Sequence, residues 1–345
     1  MFDKQKGGFH STGEFLCAVH KYATGVIQGD GRLDELSKAA MAMGTDSLGG
    51  FLVPEEFRAD ILSAALERGI VRPRALQQPM STDKLNIPVL VDSSRATAIY
   101  GGITCQYPAE GDDLAGTMVA PKIGQVGLST KDLVAFAYLS NALAADAPNF
   151  EQFMKTAFGK ALAFYEDVDF IWGPGGARPL GIMNATATVS VTRAANGALG
   201  WADLRKMAGR LLPGSWATAV FLVSPDALVA LYAVTLASTV AGFHVDTGRL
   251  FMGIPIIVTE KCSALGTTGD VILADFQGYV IGDRSMVIAA SAETSYSSGS
   301  YGWLQNQTAW KIWQRYDGQP ILSAAITPYK GANSLSHFVT LSTSS

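Results

Sequence analysis

A chain of 345 residues is long enough to bury a substantial core, in one large domain or two. Hydrophobic residues make up 48% of it and charged residues only 16%, against about 25% charged in an ordinary soluble chain, yet no apolar run approaches the ~20 residues of a membrane span. So little charge cannot coat an isolated monomer, which points to a subunit covered by other protein, with a large well-packed monomer as the plainer alternative; the net charge of −4, without any Lys or Arg run, argues against a dedicated nucleic-acid binder.

The opening stretch, Phe9–Met43, reads as two short helical pieces. Phe15, Leu16, Val19 and His20 share one face, Gly29-Asp30-Gly31 turns the chain, and Leu33, Leu36 and Ala40 form a second stripe. Neither piece has enough apolar area to fold alone, which leaves a fraying terminus or an arm that reaches a neighbouring subunit. After a polar, Gly-rich hinge at 45–50, Pro54 opens a helix with Glu55 and Glu56 in its first turn and Phe57, Ile61, Leu62, Ala65 and Leu66 on its buried face. From Lys84 to Val91, Leu85, Ile87, Val89 and Val91 alternate with their neighbours as in a half-buried strand. Ser93–Gly124 is poor in large apolar residues yet flanked by strand-like runs. It reads as a long two-stranded excursion, either disordered or laid on a neighbouring subunit, because a lone hairpin of that length is marginal in water. Val126–Leu139 brings the chain back as a strand, and Ser140-Asn141 caps a short helix.

The stretch Asn149–Gly176 organises the rest. Phe150, Phe153, Met154, Ala157, Phe158, Ala161, Leu162, Tyr165, Val168, Ile171 and Trp172 fall at helical spacing, so one face is expected to be buried along the whole element. Asn149 is placed to cap it, Gln152 holds the capping-box position, Pro148 blocks an earlier start, and Gly173-Pro174-Gly175-Gly176 stops it. A helix over 149–172 would be about 36 Å long and could serve as a spine carrying two sheets. The glycines after it read as a structural turn rather than a phosphate loop, since no Lys-Ser/Thr pair follows.

Trp201–Leu212 is an amphipathic helix with Leu204, Met207, Ala208 and Leu211 inward. Ala219–Val223 is a short buried strand, and Ser224-Pro225 caps a helix through Val234. LFMGIPIIVTE, GDVILADFQGYVIGDR and MVIAA are strand-length apolar runs divided by Gly and polar turns, giving a mixed layer of helices and strands. Trp303–Arg315 reads as a long strand, Asp317-Gly318 as a turn, ILSAAI as the final strand, and the tail from Leu341 as loose.

Catalytic chemistry finds little support. His10, His20, His244 and His337 show no ligand spacing, and Cys17, Cys105 and Cys262 are too scattered for a disulfide framework or a zinc knuckle, so a reducing compartment and no metal or cofactor are expected. The opening MFDKQKGG has no apolar segment behind it and does not indicate secretion. No GxSxG elbow gives a serine nucleophilic context, and His244 with Asp246 reads as a loop pair rather than part of a triad. Glu166, Asp167 and Asp169 could supply paired carboxylates, but late in a helix they read better as a solvated or subunit-facing charge face. Arg178 fits an interface better than an anion site. No catalytic, cofactor-binding or metal residue is therefore assigned.

From about Thr45 onward the order of signals resembles the major capsid proteins of tailed phages of the Hong Kong 97 type. The resemblance is carried by GTDSLGGFLVPEEF at 44–57, KDLVAFAYLSNALAADA at 131–147, WGPGGARPLGI at 172–182, GIPIIVTE at 253–260 and VILADFQGYVIGDRSMVI at 271–288. It implies an α+β fold with an N-terminal arm (1–50), a peripheral domain carrying the spine (51–91, 125–176 and 291–316), an extended loop (92–124) lying over an adjacent subunit, and an axial domain (177–290 and 317–345). It further implies a non-enzymatic subunit that assembles with itself into pentamers and hexamers of an icosahedral virion shell around double-stranded DNA, in the host cytoplasm, with scaffolding, portal and cement proteins as partners. An encapsulin-like compartment shell is the alternative of similar fold, and a hydrolase-like enzyme using Ser224, His244 or Asp246 the rival of another class. Some relatives join a loop lysine to a neighbour's asparagine with a glutamate assisting. Here the loop between Ser93 and Pro121 has no lysine and no glutamate lies in the strand after Asn306, so no such bond is expected. The region before Thr45 is short for a scaffolding segment, so scaffolding is expected from a separate protein or the chain to begin after a cut.

Overall fold

The computed structural model describes residues 8–25, 30–42, 51–52, 69–95, 99–103, 105, 107, 121–141, 147–195, 197–237, 250–251, 253–291, 295–297, 300–301 and 306–343. Its helices are α1 (Thr12–Ala23), α2 (Gly31–Ala42), α3 (Ala147–Trp172), α4 (Trp201–Ala208) and α5 (Pro225–Ala237). Its strands are β1 (Phe51–Leu52), β2 (Leu76–Pro79), β3 (Lys84–Leu90), β4 (Ile123–Ser129), β5 (Lys131–Ser140), β6 (Val189–Thr192), β7 (Val220–Val223), β8 (Leu250–Phe251), β9 (Ile254–Val258), β10 (Val271–Ala274), β11 (Tyr279–Ser291), β12 (Ser295–Ser297), β13 (Ser300–Tyr301), β14 (Gln307–Pro320) and β15 (Phe338–Ser342). The helix expected from Pro54, the short helix after Asn141, and His244 with Asp246 lie outside the described residues.

Helix α3 is the expected spine, 26 residues and about 39 Å long. It begins at Ala147, so Pro148 occupies the first turn, where a missing N–H costs nothing, and Asn149 is inside the helix rather than its cap. Along its first half Met154, Phe158 and Leu162 share a core with Leu139 of β5, Met286 and Ile288 of β11, and Trp310 and Ile312 of β14. At its end Phe170 and Ile171 enter a second core, with Val220, Leu222 and Ile272 of one sheet and Tyr279, Ile281 and Tyr316 of the other. One helix thus supports two sheets. The side chains of Phe150 and Phe153 lie outside the described ones; along the rest of the expected face Tyr165 is exposed, and Glu166 and Asp167 are buried instead.

The first sheet has the order β1-β11-β14-β5, with β2 parallel to the early half of β11. The second has the order β6-β15-β10-β7-β9-β8. Three expectations about them are corrected. GYVIGDR and MVIAA form one strand, β11, whose apparent break at GDR is a bulge between Asp283 and Ser285. Asp317 and Gly318 are not a turn; they pair with Gly282 and Ile281 inside β14, and glycine is needed there because a Cβ would lie 2.5 Å from the Tyr279 hydroxyl. The last strand is not ILSAAI but β15, whose final residues, Leu341 and Ser342, belong to the tail expected to be loose. It pairs with both β10 and β6. Borders expected at 290 and 316 would cut through the paired β11 and β14; the chain changes sheet at Asp275–Tyr279 and again after Pro320.

Two further segments depart from expectation. Val126–Leu139 is two strands, β4 and β5, broken at Thr130. Helix α1 is neither frayed nor reaching outward: Phe9, Phe15, Leu16, Val19 and, from α2, Leu33 are buried in the core shared with α3 and the first sheet. Ser11 Oγ accepts from the Glu14 N–H to cap α1, Glu14 Oε2 accepts from the N–H of His10 just before the cap, and Arg32 ties the pair of helices through Glu14 and Asp30. Beside the second sheet the expected inward residues Leu204, Met207, Ala208 and Leu211 are buried, although α4 stops at Ala208 rather than Leu212, and Ser224 Oγ accepts from the Ala227 N–H at 3.2 Å to cap α5.

Candidate assembly surface

Strands β3 and β4 pair from Lys84 with Ser129 to Leu90 with Ile123, so the ladder leads up to the stretch 92–124 and takes in only its last two residues. Its root sits on the first sheet through Met80, Leu128 and Val280, backed by Leu85, Ile87 and Ile321. The approach is close enough that a Cβ on Gly282 would lie 2.4 Å from the Met80 sulfur. Beyond the root, Ser94 bridges to Thr327, the Lys122 N–H donates to the Gly101 carbonyl at 2.7 Å, and Arg95, paired with Asp92 at 3.1 Å, lies over the Tyr100 ring. From there outward the large side chains meet water. Leu90, Ile99, Tyr100, Ile103 and Ile123 are exposed, and Tyr107 is fully so.

A second apolar surface lies on β5. Leu133, Ala135, Ala137 and Leu139 face the core, so the period of the strand puts Val134, Phe136 and Tyr138 outward, where Phe136 keeps 66% of its surface. Lys311, its cross-strand partner, lies over the Phe136 and Trp313 rings. On α3, Phe164 and Tyr165 add an exposed edge-to-face pair. Apolar patches of this kind on a chain so poor in charge are what subunit contacts cover.

These surfaces are held by buried ion pairs. Arg72 donates to Glu166 from Nε and Nη2, both at 2.8 Å, and also pairs with Asp283 of β11. Asp167 accepts from the Ile70 and Val71 N–H groups at 2.8 and 3.0 Å and from Lys261 Nζ at 2.7 Å. Tyr316 donates to Asp169 at 3.1 Å, and Arg178 stands 3.6 Å from the same carboxylate. Burial alone would lower the Arg72 pKa, but the Glu166 and Asp283 charges outweigh it and raise the value, keeping the guanidinium cationic. Burial raises Glu166 and Asp169 above the ordinary carboxyl range, against the pull of Arg72 on the first and of Tyr316 and Arg178 on the second. The carboxylates that read as a solvated face are therefore struts joining α3 to the loop before β2, to the first sheet and to Lys261. One signal for this was present: Phe158, Leu162 and Glu166 continue a single helical stripe, as do Ala163, Asp167 and Phe170. Their cationic partners, 94 residues away in each case, have no sequence signature.

The family model described as Phage capsid family matches residues 49–331. The chain belongs to the phage capsid family. Three solved structures, two of them titled as capsids, share its fold. The capsid of a native GTA particle is 16% identical, covers 82% of this chain and 91% of its own, and superposes with a TM-score of 0.56. The capsid of the empty GTA particle is 16% identical over 82% and 90%, with a TM-score of 0.59. Mycobacterium phage Adephagia gives 17%, 83%, 90% and 0.52 for the same quantities. No curated protein matches the chain.

This phage capsid protein is structural. Ser224 is spent on capping α5. A Ser/His/Asp group that spacing did not suggest does exist, Ser215 with His337 and Asp275, but Ser215 Oγ and Asp275 Oδ2 both approach the same nitrogen, Nδ1, at 2.8 and 3.3 Å. A hydrolytic triad needs the acid on one ring nitrogen and the nucleophile on the other. His10 stands beside the α1 cap, and His20 stacks on Trp310. Among the described residues no three His, Cys, Asp or Glu side chains converge to hold a metal ion. Asn306, at a left-handed φ of 54°, takes a hydrogen bond on its side-chain oxygen from Asn141 Nδ2 at 2.7 Å and closes the β5–β14 end. No described helix is long and apolar enough to cross a membrane.

Proposed function

We propose that the chain is the shell-forming subunit of a tailed-phage capsid of the Hong Kong 97 type, assembling with itself into pentamers and hexamers that close into an icosahedral shell around double-stranded DNA. The observation that carries this is the family match over 49–331 on a body whose single long helix bears two sheets. In this reading the first sheet, α3 and the segment up to β3 form the peripheral part, with 279–320 belonging to it, and the second sheet forms the axial part. The β3–β4 ribbon and the residues it carries form the extended loop, whose exposed Leu90, Ile99, Tyr100, Ile103, Tyr107 and Ile123 would be covered by an adjacent subunit. Isologous and heterologous contacts between copies, not a pocket, would then do the work. The mild net charge of −4 suits a wall that contains DNA without holding it tightly. Scaffolding, portal and cement proteins are the expected partners, assembly is placed in the host cytoplasm, and a loop without lysine leaves the shell to non-covalent contacts. The encapsulin-like alternative is not favoured by the family match.

Expression of the chain with and without its neighbouring phage genes, followed by negative-stain microscopy and a nuclease-protection assay on purified particles, tests this. Closed shells with capsomers of five and six subunits are expected, with protected DNA when packaging partners are present. A soluble monomer at every concentration, or shells that carry only protein cargo, would overturn it.

A further inference from the structure

Among the described residues every sheet edge but one is guarded. β1 and β8 are two residues long, β12 and β13 no longer than three, and β2 and β6 four, with Pro79 ending β2; in the ribbon Pro88 stands in β3, and Gly124 and Gly127 in β4. Shortness, proline and glycine all discourage an edge from taking on another strand. β5 has none of these. It runs for ten residues, pairs with β14 through all of them without a bulge, contains no Pro or Gly and carries no charge beyond Asp132; on its other side it pairs with no described strand. Both of its faces are apolar and have surface left to cover. Leu133, Ala135 and Ala137 are only partly buried against the core, and Val134, Phe136 and Tyr138 are exposed on the opposite side. An edge of that kind is a template for a further strand.

The strand that fits this edge is its own. We infer that β5 of one copy pairs antiparallel with β5 of a second copy about a twofold axis through Phe136, joining the two first sheets into one. The inference rests on the assembly reading above and adds to it an isologous contact in which the ribbon takes no part. Opposite residues of an antiparallel pair share a face, so the register follows from what faces what. With Phe136 opposite Phe136, Val134 meets Tyr138, Ala135 meets Ala137, Leu133 meets Leu139 and Asp132 meets Ser140. Apolar side chains then face apolar ones and no like charges meet. An axis through Ala135 would set Asp132 against Tyr138, and one through Ala137 would set Val134 against Ser140. Lys311 lies over Phe136 from the next strand, so the row across the joint reads Lys311, Phe136, Phe136, Lys311. Its two cations are three strand spacings apart, about 14 Å, beyond the ~8 Å screening length at physiological salt. Helix α1 packs on α3 and β11, two strands away from this edge, and leaves it clear. A twofold contact joins two copies and stops, so it links one ring of subunits to the next rather than closing a ring.

The test introduces Phe136→Cys in a Cys105→Ser background, since Cys105 is the exposed native thiol. Particles are assembled under reduction, oxidised, and run on a non-reducing denaturing gel. At the axis a cysteine stands opposite its own copy, about 5 Å away between Cα atoms and within reach of a disulfide. A dimer band with no higher ladder is expected. Val134→Cys alone should give no dimer, because its two copies would lie about 14 Å apart along the strands, whereas Val134→Cys with Tyr138→Cys should restore the band. No dimer from Phe136→Cys, a ladder beyond the dimer, or a dimer from Val134→Cys alone would overturn the inference; the first is also the result if a different segment or a separate protein covers β5. A second measurement does not depend on the disulfide. Phe136→Lys sets two like charges face to face at the axis, while the exposed side chain leaves the subunit's own core intact. Negative-stain counts should show about tenfold fewer closed shells than the parent, with free rings of five and six subunits in their place. Equal shell yields would overturn the inference as well. Closed shells from the parent chain together with any of these negative results leave the assembly reading standing, whereas absence of shells from the parent removes both.

Discussion

Arg72 and Glu166 meet through two hydrogen bonds of 2.8 Å with the side chains only 3% and 2% exposed, which makes the pair an internal fastener between the loop before β2 and the last turns of α3. Removing one partner leaves a charge without compensation in a dry site. Arg72→Met should cost the unassembled subunit about 3–5 kcal/mol. Adding Glu166→Met should recover part of that loss, because the remaining Asp283 is less buried. Urea unfolding of Arg72→Met, Glu166→Met and the double variant measures it, and single losses that simply add in the double variant would show the two residues to be uncoupled.

His20 gives a pH dependence of definite sign. Half burial against Trp310, with Lys21 adding to it, lowers its pKa below the ordinary imidazole value, and its Nδ1 is buried without a partner among the described residues. Undocked α1 then binds protons more readily than docked α1, so docking is strongest at neutral pH and weakens as pH falls below about 6.5. Hydrogen exchange of the α1 amides between pH 7.5 and 5.5 should report faster opening at the acid end, and His20→Phe should flatten the response.

Gly173 and Gly181 meet where α3 hands the chain on. A Cβ at 181 would stand 2.4 Å from the Gly173 nitrogen and 2.7 Å from the Ile171 carbonyl, and neither backbone atom can move aside. Gly181→Ala should therefore cost about 3 kcal/mol. Gly214→Ala, at a site with open space and no left-handed φ, should stay within about 0.5 kcal/mol of the parent. Thermal melts of the two variants side by side check the contrast.

Leu341 is buried in β15, with β6 on one side and β10 on the other. Leu341→Ala should cost about 3 kcal/mol, as a core truncation does, where a loose tail would register no change. Chemical denaturation of the purified subunit decides between the two.

The sequence displayed those elements whose signal is local. The spine is legible because its apolar spacing runs for seven turns, and the cap at Ser224 because serine followed by proline acts within one turn. The same locality explains the errors. Val339–Ser342 alternates apolar and hydroxyl residues, and it is the two flanking strands, distant in sequence, that turn Thr340 and Ser342 into sheet. Asp317-Gly318 has turn chemistry, but the Tyr279 hydroxyl crossing above Gly318 and the Lys131 ammonium, 2.9 Å from Asp317 Oδ1, keep it extended. Glu166 and Asp167 carried the right spacing and the wrong polarity, since the groups that neutralise them lie in other parts of the chain. For the assembly surface, the shortage of charge predicted exposed apolar patches without saying where they fall. Their places, on β5 and along the ribbon, came only with the structure.

The link Asp275–Tyr279 carries the chain from one sheet to the other, and it has no slack. Phe276 is buried, Asp275 is bonded to Thr218 and to the Gln277 N–H, and the His337 ring fills the space beside Gly278 so closely that a Cβ would lie 2.6 Å from it. In the proposed shell, identical copies set at fivefold and sixfold positions would have to differ somewhere in shape. A subunit whose waist is locked in this way cannot accommodate curvature by bending in the middle, so the tolerance for unequal surroundings falls to its periphery, where one short ladder and a few exposed rings are free to take up the difference.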